Sequence, residues 1–387
     1  MIKRSGVDQG TSRMDLLLKS SVASLIVFGL LLFTRNAVSQ QPVHIAESIK
    51  IGLLIPDTNS IAAVNGARLA IRSANRSGGF NVRQFELLVR PLSGPWGTGS
   101  KQAVSLIFDE KVWVLLGSHD GRNAHLVEQA ATKARIVFMS AWAGDPTLSQ
   151  AFVPWFFNSV PNDNKQATAI TAGIFKGPSG QKTAVISDDG YDSGSSLKSF
   201  LATVSTAGRP APLQLSWKEC GEDPGIVADK LTGNGINTLV ILCQPKTAVG
   251  IVSIISEKNL KIKIFGSLSL LNEDELSPME LRTFNEKLIV PSGAINSIKI
   301  KAFAAEYERA FGKEPGEVAA VAFDAMNILI EAIRKAGTSD RERIQDALKN
   351  IHYEGVTGTF GFDEKGNRND RIGLVNVKDG LPSGTYN

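Results

Sequence analysis

The sequence predicts an α/β protein built from two consecutive runs of parallel strands and helices. Short apolar strands alternate with amphipathic helices, the rhythm restarts after Pro161, and no low-complexity linker separates the two runs. Helices between successive strands imply right-handed crossovers and therefore parallel sheets. Two runs of similar size predict two lobes.

The first run is centred on residues 112–123. The apolar segment 112–116 predicts a buried strand, Gly117 ends it, and residues 123–133 have the spacing of an amphipathic helix. In open α/β sheets ligands bind at the carboxyl ends of the strands, and a helix start offers free N–H groups to an anion. The turn 117–122 is therefore predicted to line a ligand site.

The other elements of the first run follow from hydrophobic periodicity and from the residues that begin or end helices and strands. Pro56 ends the first strand, Gly78 and Gly79 end the first helix, and Ser100 is placed to cap the second. The predicted strands of this run are 49–55, 85–90, 112–116 and 136–140. Its predicted helices are 65–77, 101–109 and 123–133.

The second run repeats the pattern, and a doubly wound order places its first strand between the second and the third. Its predicted strands are 183–187, 213–218, 238–242 and 262–266, and its helices are 164–175, 195–206, one opened by Asp223-Pro224, and 247–257. Helices at 298–311, 318–335 and 341–350 follow. Strands 359–362 and 372–378 around the polar turn 363–366 predict a final hairpin.

The amino terminus has the features of an export signal. Basic residues precede the apolar stretch 21–33, and Ala37-Val38-Ser39 supplies small residues for cleavage before Gln40. The alternative, a membrane anchor, requires about 20 apolar residues, more than this stretch provides. We therefore expect residues 1–39 to be a cleaved signal peptide and the mature protein to be periplasmic.

Composition narrows the function classes. The chain has 387 residues, 43% hydrophobic and 21% charged, which is typical of a soluble globular protein. Residues 1–39 hold five Lys/Arg and two Asp, so +3 of the total net charge of +4 leaves with the signal and +1 remains. A nearly neutral mature chain gives no indication of nucleic-acid binding.

Cys220 and Cys243 are the only cysteines. An oxidising compartment favours a disulfide, but each residue follows a predicted strand and a third strand lies between them. Two strand spacings separate the residues by about 10 Å, beyond the Cα reach of a disulfide. Two free, half-buried thiols are therefore predicted.

No catalytic or metal-binding motif was found. Residues 177–183 resemble part of a phosphate loop but precede a strand and lack the Gly-Lys-Ser/Thr order. The four His and two Cys have no metal-ligand spacing, and the acid pair Asp188-Asp189 is typical of a turn. The sequence therefore predicts a protein that is not an enzyme and that has no cofactor or metal.

Several stretches in a fixed order resemble the type I periplasmic solute-binding proteins, in the branch that includes the leucine/isoleucine/valine receptor of ABC importers. They are 49–52, 65–71 with Gly78-Gly79, 146–148, 191–194, 322–325 and 355–366. The resemblance implies two Rossmann-like lobes joined by three crossings, with a ligand cleft between them that closes by a hinge. We place lobe 1 at 48–158 and 291–357, and lobe 2 at 159–290 and 358–387.

The resemblance also implies which residues of the first lobe contact the solute. Gly121 matches a position that holds the ligand carboxylate, and the N–H groups of Gly121, Arg122 and Asn123, beside Ser118, suit an anion. Asp120 either contacts the solute or caps the helix and repels an anion. His119 is expected to face solvent. Trp142 and Gly144 match positions that bind the amino acid, with lobe packing as the alternative for Trp142.

In the second lobe Tyr191 matches a tyrosine that covers the ligand, and Asp192 or Asp189 is a candidate polar contact. The acid that pairs with the ligand ammonium in the family is missing, because Ser267-Leu268-Ser269 stands in its place. Leu268 is nevertheless a candidate ligand contact. The solute therefore either lacks an α-ammonium or meets another acid.

Two functions remain open. The first is a monomeric receptor that captures a small amino-acid-like, carboxylate or amide solute and delivers it to an ABC permease in the inner membrane. The second is a periplasmic sensor or partner protein on the same scaffold without transport duty. A shift of thermal stability by candidate solutes tests the first, and the partner that co-purifies separates the two.

Overall fold

The computed structural model describes residues 47–95, 97–150, 153–176, 181–293 and 297–383. The predicted signal peptide at 1–39 and most of the phosphate-loop-like segment lie outside these residues. Within them, no helix is long and apolar enough to cross a membrane.

The first sheet has five parallel strands in the order β2-β1-β3-β4-β5. The strands are β1 (Ile49–Ile55), β2 (Phe85–Pro91), β3 (Val114–Gly117), β4 (Phe138–Ser140) and β5 (Phe156–Asn158). The helices between them are α1 (Ala62–Arg76), α2 (Thr98–Val104) and α3 (Gly121–Ala134). A π-helical turn, Ser105–Asp109, continues α2, and no side chain caps that helix, so the cap predicted at Ser100 is wrong.

The second sheet has seven strands in the order β14-β13-β10-β9-β8-β6-β7. Its parallel strands are β6 (Thr183–Ser187), β7 (Leu213–Ser216), β8 (Thr238–Leu242), β9 (Lys263–Gly266) and β10 (Leu288–Ser292). β13 (Gly373–Lys378) and β14 (Leu381–Ser383) extend it as antiparallel strands. The helices here are α4 (Asp163–Phe175), α5 (Tyr191–Thr206), α6 (Pro224–Gly233), α7 (Pro245–Glu257) and α8 (Pro278–Arg282).

The strand order of the second sheet confirms the doubly wound arrangement, because β6 lies between β7 and β8. Cys220 follows β7 and Cys243 follows β8, and both thiols are free, as predicted. They are fully buried rather than half-buried. Burial, and then the nearby Asp188 carboxylate, raise the pKa of Cys243.

After β10 the chain returns to the first sheet. α9 (Ser297–Phe311), α10 (Glu317–Ala336) and α11 (Arg341–Lys349) pack on its core. The predicted final hairpin is wrong, because β12 (Thr359–Phe360) pairs with β11 (Tyr353–Glu354) and not with β13. Three passages thus join the two sheets, which gives two lobes. The residue limits assigned to the lobes stay a prediction.

Each sheet is covered on both faces. Alternate residues of a strand point to opposite faces, so Leu53 of β1 and Leu116 of β3 lie in one core, whereas Leu54 and Leu115 lie in another. The second sheet divides its residues in the same way. Two-sided burial explains why the central strands are apolar runs without alternation.

Candidate functional site

A cleft of about 560 Å³ lies where the carboxyl ends of strands from both sheets meet. The first lobe contributes the loop after β1, the turn between β3 and α3, and Trp142 after β4. The second lobe contributes the start of α5, the end of β8 and the loop after β9. This is the position that the doubly wound topology favours for a ligand.

The turn between β3 and α3 forms one wall of the cleft. Ser118 is buried there, and its N–H donates to the carbonyl of Leu54 in β1. His119 is only 1% exposed, so the prediction that it faces solvent is wrong. Its ring stacks on Phe138 at 6.1 Å, its Nδ1 lies 3.1 Å from the Asp120 carbonyl oxygen, and burial lowers its pKa.

Asp120 caps α3, which is one of the two alternatives considered for it. Its Oδ1 accepts a hydrogen bond from the Asn123 N–H at 2.9 Å, and its Oδ2 accepts from the Asn123 side-chain amide at 2.7 Å. The same carboxylate also lines the cleft. Capping and ligand contact are therefore compatible, but the cap places a negative charge where a solute anion was expected.

The N–H of Gly121 already has an anionic partner. It donates to Asp192 Oδ1, from the start of α5, at 3.0 Å. A Cβ at position 121 would lie 2.8 Å from the same oxygen, so glycine makes room for this carboxylate. Arg122 is exposed and does not line the cleft. The helix start predicted to hold a solute carboxylate thus holds one from the second lobe.

A small inner recess of about 30 Å³ adjoins the cleft, and Trp142 and Asp192 line both. Gly144 and Leu268 also line the recess. A Cβ at Gly144 would lie 2.6 Å from Asp163 Oδ1, so no side chain fits at that position. The Leu268 N–H donates to Gln166 Oε1 at 2.9 Å, which orders the segment that replaces the expected acid.

Tyr191 lies at the rim rather than among the residues that line the cleft. It is 48% exposed, and its hydroxyl donates to Asp145 Oδ2 at 2.9 Å, which joins α5 to the first lobe. Burial and the Asp145 carboxylate raise the pKa of Tyr191 to about 12. Asp189, the other polar candidate, is exposed and does not line the cleft.

Asp145 is the centre of a polar group that the sequence did not indicate. His125 Nε2 lies 3.0 Å from Asp145 Oδ2, and the Asp145 carboxylate, followed by Glu128, raises the pKa of His125 to about 9. Burial acts to raise the pKa of Asp145, but hydrogen bonds from His125, Thr147 and Tyr191 together hold it below its ordinary value. Asp145 is therefore an ionised, well-partnered anchor for Tyr191.

Two further second-lobe acids dock on first-lobe helices. Glu273 accepts hydrogen bonds from three backbone N–H groups at the start of α10, at 2.8 to 3.1 Å. Asp274 Oδ1 accepts from the Ala62 N–H at the start of α1 at 2.9 Å. With Asp192, which contacts the start of α3, three carboxylates of one lobe contact three helix starts of the other.

Glu273 and Asp274 were not among the predicted site residues, although the acidic triplet 273–275 closely follows the segment 267–269. Burial raises the pKa of Glu273 to about 7 and also raises the pKa of Asp274. Both side chains take part in contacts between the lobes. The acids that follow the segment 267–269 thus bind backbone groups of the protein itself.

The cleft is strongly acidic. Five carboxylates line it, against Lys246 as the only lysine or arginine among the described lining residues; the acids are Asp57, Asp120, Asp192, Asp274 and Glu275. Burial, and then repulsion by Asp120, Asp163 and Asp145, raise the pKa of Asp192 to about 7. Among the described residues no group of three or more His, Cys, Asp or Glu is arranged to hold a metal ion.

Comparison with known proteins identifies the family. The model of a family described as periplasmic binding protein matches residues 48–380. A leucine-, isoleucine-, valine-, threonine- and alanine-binding protein of Pseudomonas aeruginosa is 21% identical over 329 residues, which cover 83% of this chain and 87% of that protein.

Solved structures show the same fold. The branched-chain amino acid transporter substrate-binding protein LivJ from Streptococcus pneumoniae, in complex with isoleucine, superposes with a TM-score of 0.72 at 19% identity, over 87% of this chain and 98% of that one. A solute-binding protein of an ABC transporter from Rhodopseudomonas palustris, in complex with 3,4-dihydroxybenzoic acid, gives 0.69 at 18% identity, over 86% and 93%. The protein therefore belongs to the periplasmic binding protein family and has its type I fold, which confirms the resemblance noted in the sequence.

Proposed function

We propose that the protein is a periplasmic solute receptor of an ABC importer, which captures a small polar solute between its lobes and delivers it to a permease in the inner membrane. The observation that carries this proposal is the 560 Å³ cleft at the strand ends of both sheets. The volume is within the range of small-molecule sites. The relatives include a binding protein for leucine, isoleucine, valine, threonine and alanine, and solute-binding proteins in complex with isoleucine and with 3,4-dihydroxybenzoic acid.

The lining of the cleft favours a polar solute over leucine. Six serines line it, Ser60, Ser118, Ser193, Ser196, Ser267 and Ser269. A site rich in hydroxyl groups rejects an apolar side chain, because burial would leave those groups unpaired. Apolar surface that holds a short carbon chain comes from Trp142, Leu242, Pro56, Pro245 and Val318.

The contacts between the lobes support capture by hinge closure. Three hydrogen bonds join residues on opposite sides of the cleft: α3 donates an N–H to Asp192, α1 donates an N–H to Asp274, and the Tyr191 hydroxyl donates to Asp145. Because they cross the cleft, these bonds break when the lobes separate. Solute that touches both lobes adds to these contacts and shifts the population towards closure. We propose that the closed form, as a monomer without cofactor or catalytic activity, docks on the permease.

Two measurements test the proposal. Purified mature protein is screened by thermal shift against amino acids, amides, amines, polyols and aromatic acids, because a ligand that binds only the folded state raises Tm. X-ray scattering then shows whether the same solute reduces the radius of gyration. If no solute class shifts Tm, the receptor function is wrong. If a solute binds but its uptake by cells is unchanged after deletion of the gene, the protein is a sensor rather than an importer component.

A further inference from the structure

We propose that the solute is a small organic cation without a carboxylate, with one ammonium group in the inner recess beside Trp142 and Asp163. This inference rests on the proposed receptor function and names its solute class. It departs from the zwitterionic isoleucine and the aromatic acid bound by the structural relatives. Four features of the cleft lead to it.

The first feature is that the place for a solute carboxylate is occupied. Asp192 Oδ1 accepts the Gly121 N–H, and Asp120 Oδ1 accepts the Asn123 N–H of the same helix. A solute carboxylate would have to displace a carboxylate tied to the second lobe and would still lie beside Asp120. Two like charges at contact in a partly desolvated site repel each other strongly, so an anionic group is excluded here.

The second feature is that the acids of the cleft have no direct ion pair, although Lys313 and Lys246 act from a distance on Asp274 and Glu275. None of the five forms an ion pair with a lysine or arginine in the part of the chain that the structure describes. Their hydrogen-bond donors are backbone N–H groups, side-chain amides and a serine hydroxyl. Half-buried carboxylates without a direct ion pair are costly, and a cationic solute compensates that cost when the cleft closes.

The third feature is the shape and lining of the recess. Its volume of about 30 Å³ suits one water-sized group, which is the size of an ammonium. The lining includes Trp142, Asp163, Gln166, Asp192, Ser196 and Ser269. Carboxylate and hydroxyl oxygens accept the three N–H bonds of an ammonium, and an indole face attracts its charge.

Asp163 distinguishes this recess from a group of surface acids, because its carboxylate is buried. It is only 6% exposed, and Ser195 donates to its Oδ2 at 2.8 Å. Gln166 is fixed as a wall, because its Nε2 donates to the Pro161 carbonyl at 2.9 Å and its Oε1 accepts from Leu268. Burial, and repulsion by Asp145, raise the pKa of Asp163 to about 6. A carboxylate buried this deeply, for which the described residues supply only hydroxyl donors, is a place for a cationic partner.

The fourth feature is a second group of acids in the same cleft. Asp57, Asp274 and Glu275 lie close enough to repel one another, and they come from the loops after β1 and β9. The serine hydroxyls lie in the same lining. Two acidic groups in one polar cleft fit a solute with a cationic group at each end, and a short diamine has this chemistry.

A charge series with one carbon chain tests the inference. Putrescine, γ-aminobutyrate and succinate share that chain and are a dication, a zwitterion and a dianion. Calorimetric titration into the mature protein at pH 8 is expected to give the tightest Kd for putrescine, weaker by about tenfold or more for γ-aminobutyrate, and no binding of succinate. Equal or reversed order overturns the inference, and so does the absence of putrescine binding.

The thermal-shift screen, with putrescine among its amines, separates this inference from the receptor function on which it rests. If leucine or another solute raises Tm and closes the lobes while putrescine does neither, the solute class is wrong and the receptor function stands. If none of the solutes binds, both are wrong.

Variants locate the ammonium. Asp163→Asn and Asp192→Asn each remove a negative charge with little change of shape, and each is expected to weaken putrescine binding by about tenfold or more. Glu364→Gln, on an exposed turn outside the cleft, removes the same charge and is the matched control. If Asp163→Asn folds with wild-type Tm and keeps the wild-type Kd, or if the control weakens binding as much, the recess is not the ammonium site.

Discussion

Replacement of Asp192 by Asn separates the stability of the protein from its binding of a cation. Asp192 accepts the Gly121 N–H across the cleft, and its pKa is raised from 3.8 to about 7 because burial and neighbouring acids disfavour the ionised form. Its favourable contribution to folding is therefore complete below pH 3.8 and is lost as the pH rises through 7. Asn keeps an acceptor for the N–H and carries no charge at any pH.

The size of the stability change in Asp192→Asn follows from the raised pKa of Asp192. The rise of the Asp192 pKa from 3.8 to about 7 corresponds to about 4 kcal/mol as an upper value. Relaxation and the sharing of repulsion among the neighbouring acids reduce it, so we expect Asp192→Asn to raise the free energy of unfolding at pH 8 by about 2 kcal/mol. For a chain of this length that gain raises Tm by about 3 °C. At pH 4 the difference from wild type is expected to vanish.

The assay is urea and thermal unfolding of wild type and variant from pH 4 to pH 8 without solute, with Glu364→Gln as the control for removal of one charge. Binding of putrescine by the same preparations is measured in parallel and is expected to weaken in Asp192→Asn. A variant that is less stable than wild type at pH 8, or that differs from it equally at all pH values, refutes the electrostatic reasoning.

Three further predictions concern the framework of the cleft. Glu273→Ala leaves three N–H groups of α10 without their acceptor and is expected to cost about 2 kcal/mol by urea denaturation, while Glu273→Gln costs less than half of that. Gly66→Ala places a Cβ 2.2 Å from the Ala319 carbonyl oxygen and is expected to lower stability by about 2 kcal/mol, whereas Gly194→Ala, with no atom within 4 Å, raises it by up to about 1 kcal/mol; equal effects would contradict the close packing of α1 on α10. Asp324 accepts two backbone N–H groups and a threonine hydroxyl in the core, so Asp324→Ala is expected to lower the free energy of unfolding in urea by about 3 kcal/mol, seen as a lower midpoint at an unchanged m value; a loss below about 1 kcal/mol would show that those donors find other partners.

The strands and helices near the cleft followed from local patterns. The turn after β3 was predicted because an apolar run, a glycine and an amphipathic segment leave few other arrangements. The position of β6 between its neighbours followed from the regular order of doubly wound sheets. The free thiols of Cys220 and Cys243 followed in turn from that order. In each case a short stretch or a general rule of topology was sufficient.

Predictions failed where the outcome depended on a partner far away in the chain. β12 has a strand pattern, but nothing in it distinguishes β11 from β13 as its partner. The segment around His119 has the composition of an exposed turn, yet the His119 ring packs on Phe138 because β4 lies next to β3 in the sheet. A local sequence pattern indicates burial and turns, but it does not indicate which distant segment packs against them.

By itself, the sequence determined the two α/β runs, the turn at 117–122 as part of the cleft, and the loss of the acid expected near Leu268. Only the tertiary structure decided what replaced that acid. Asp192, Glu273 and Asp274 lie far in sequence from the helices whose N–H groups they accept, so folding of both lobes is needed to bring each charge to its partner. Because the charge of the cleft lining depends on residues brought together from distant parts of the chain, its acidic character became visible only in the folded chain.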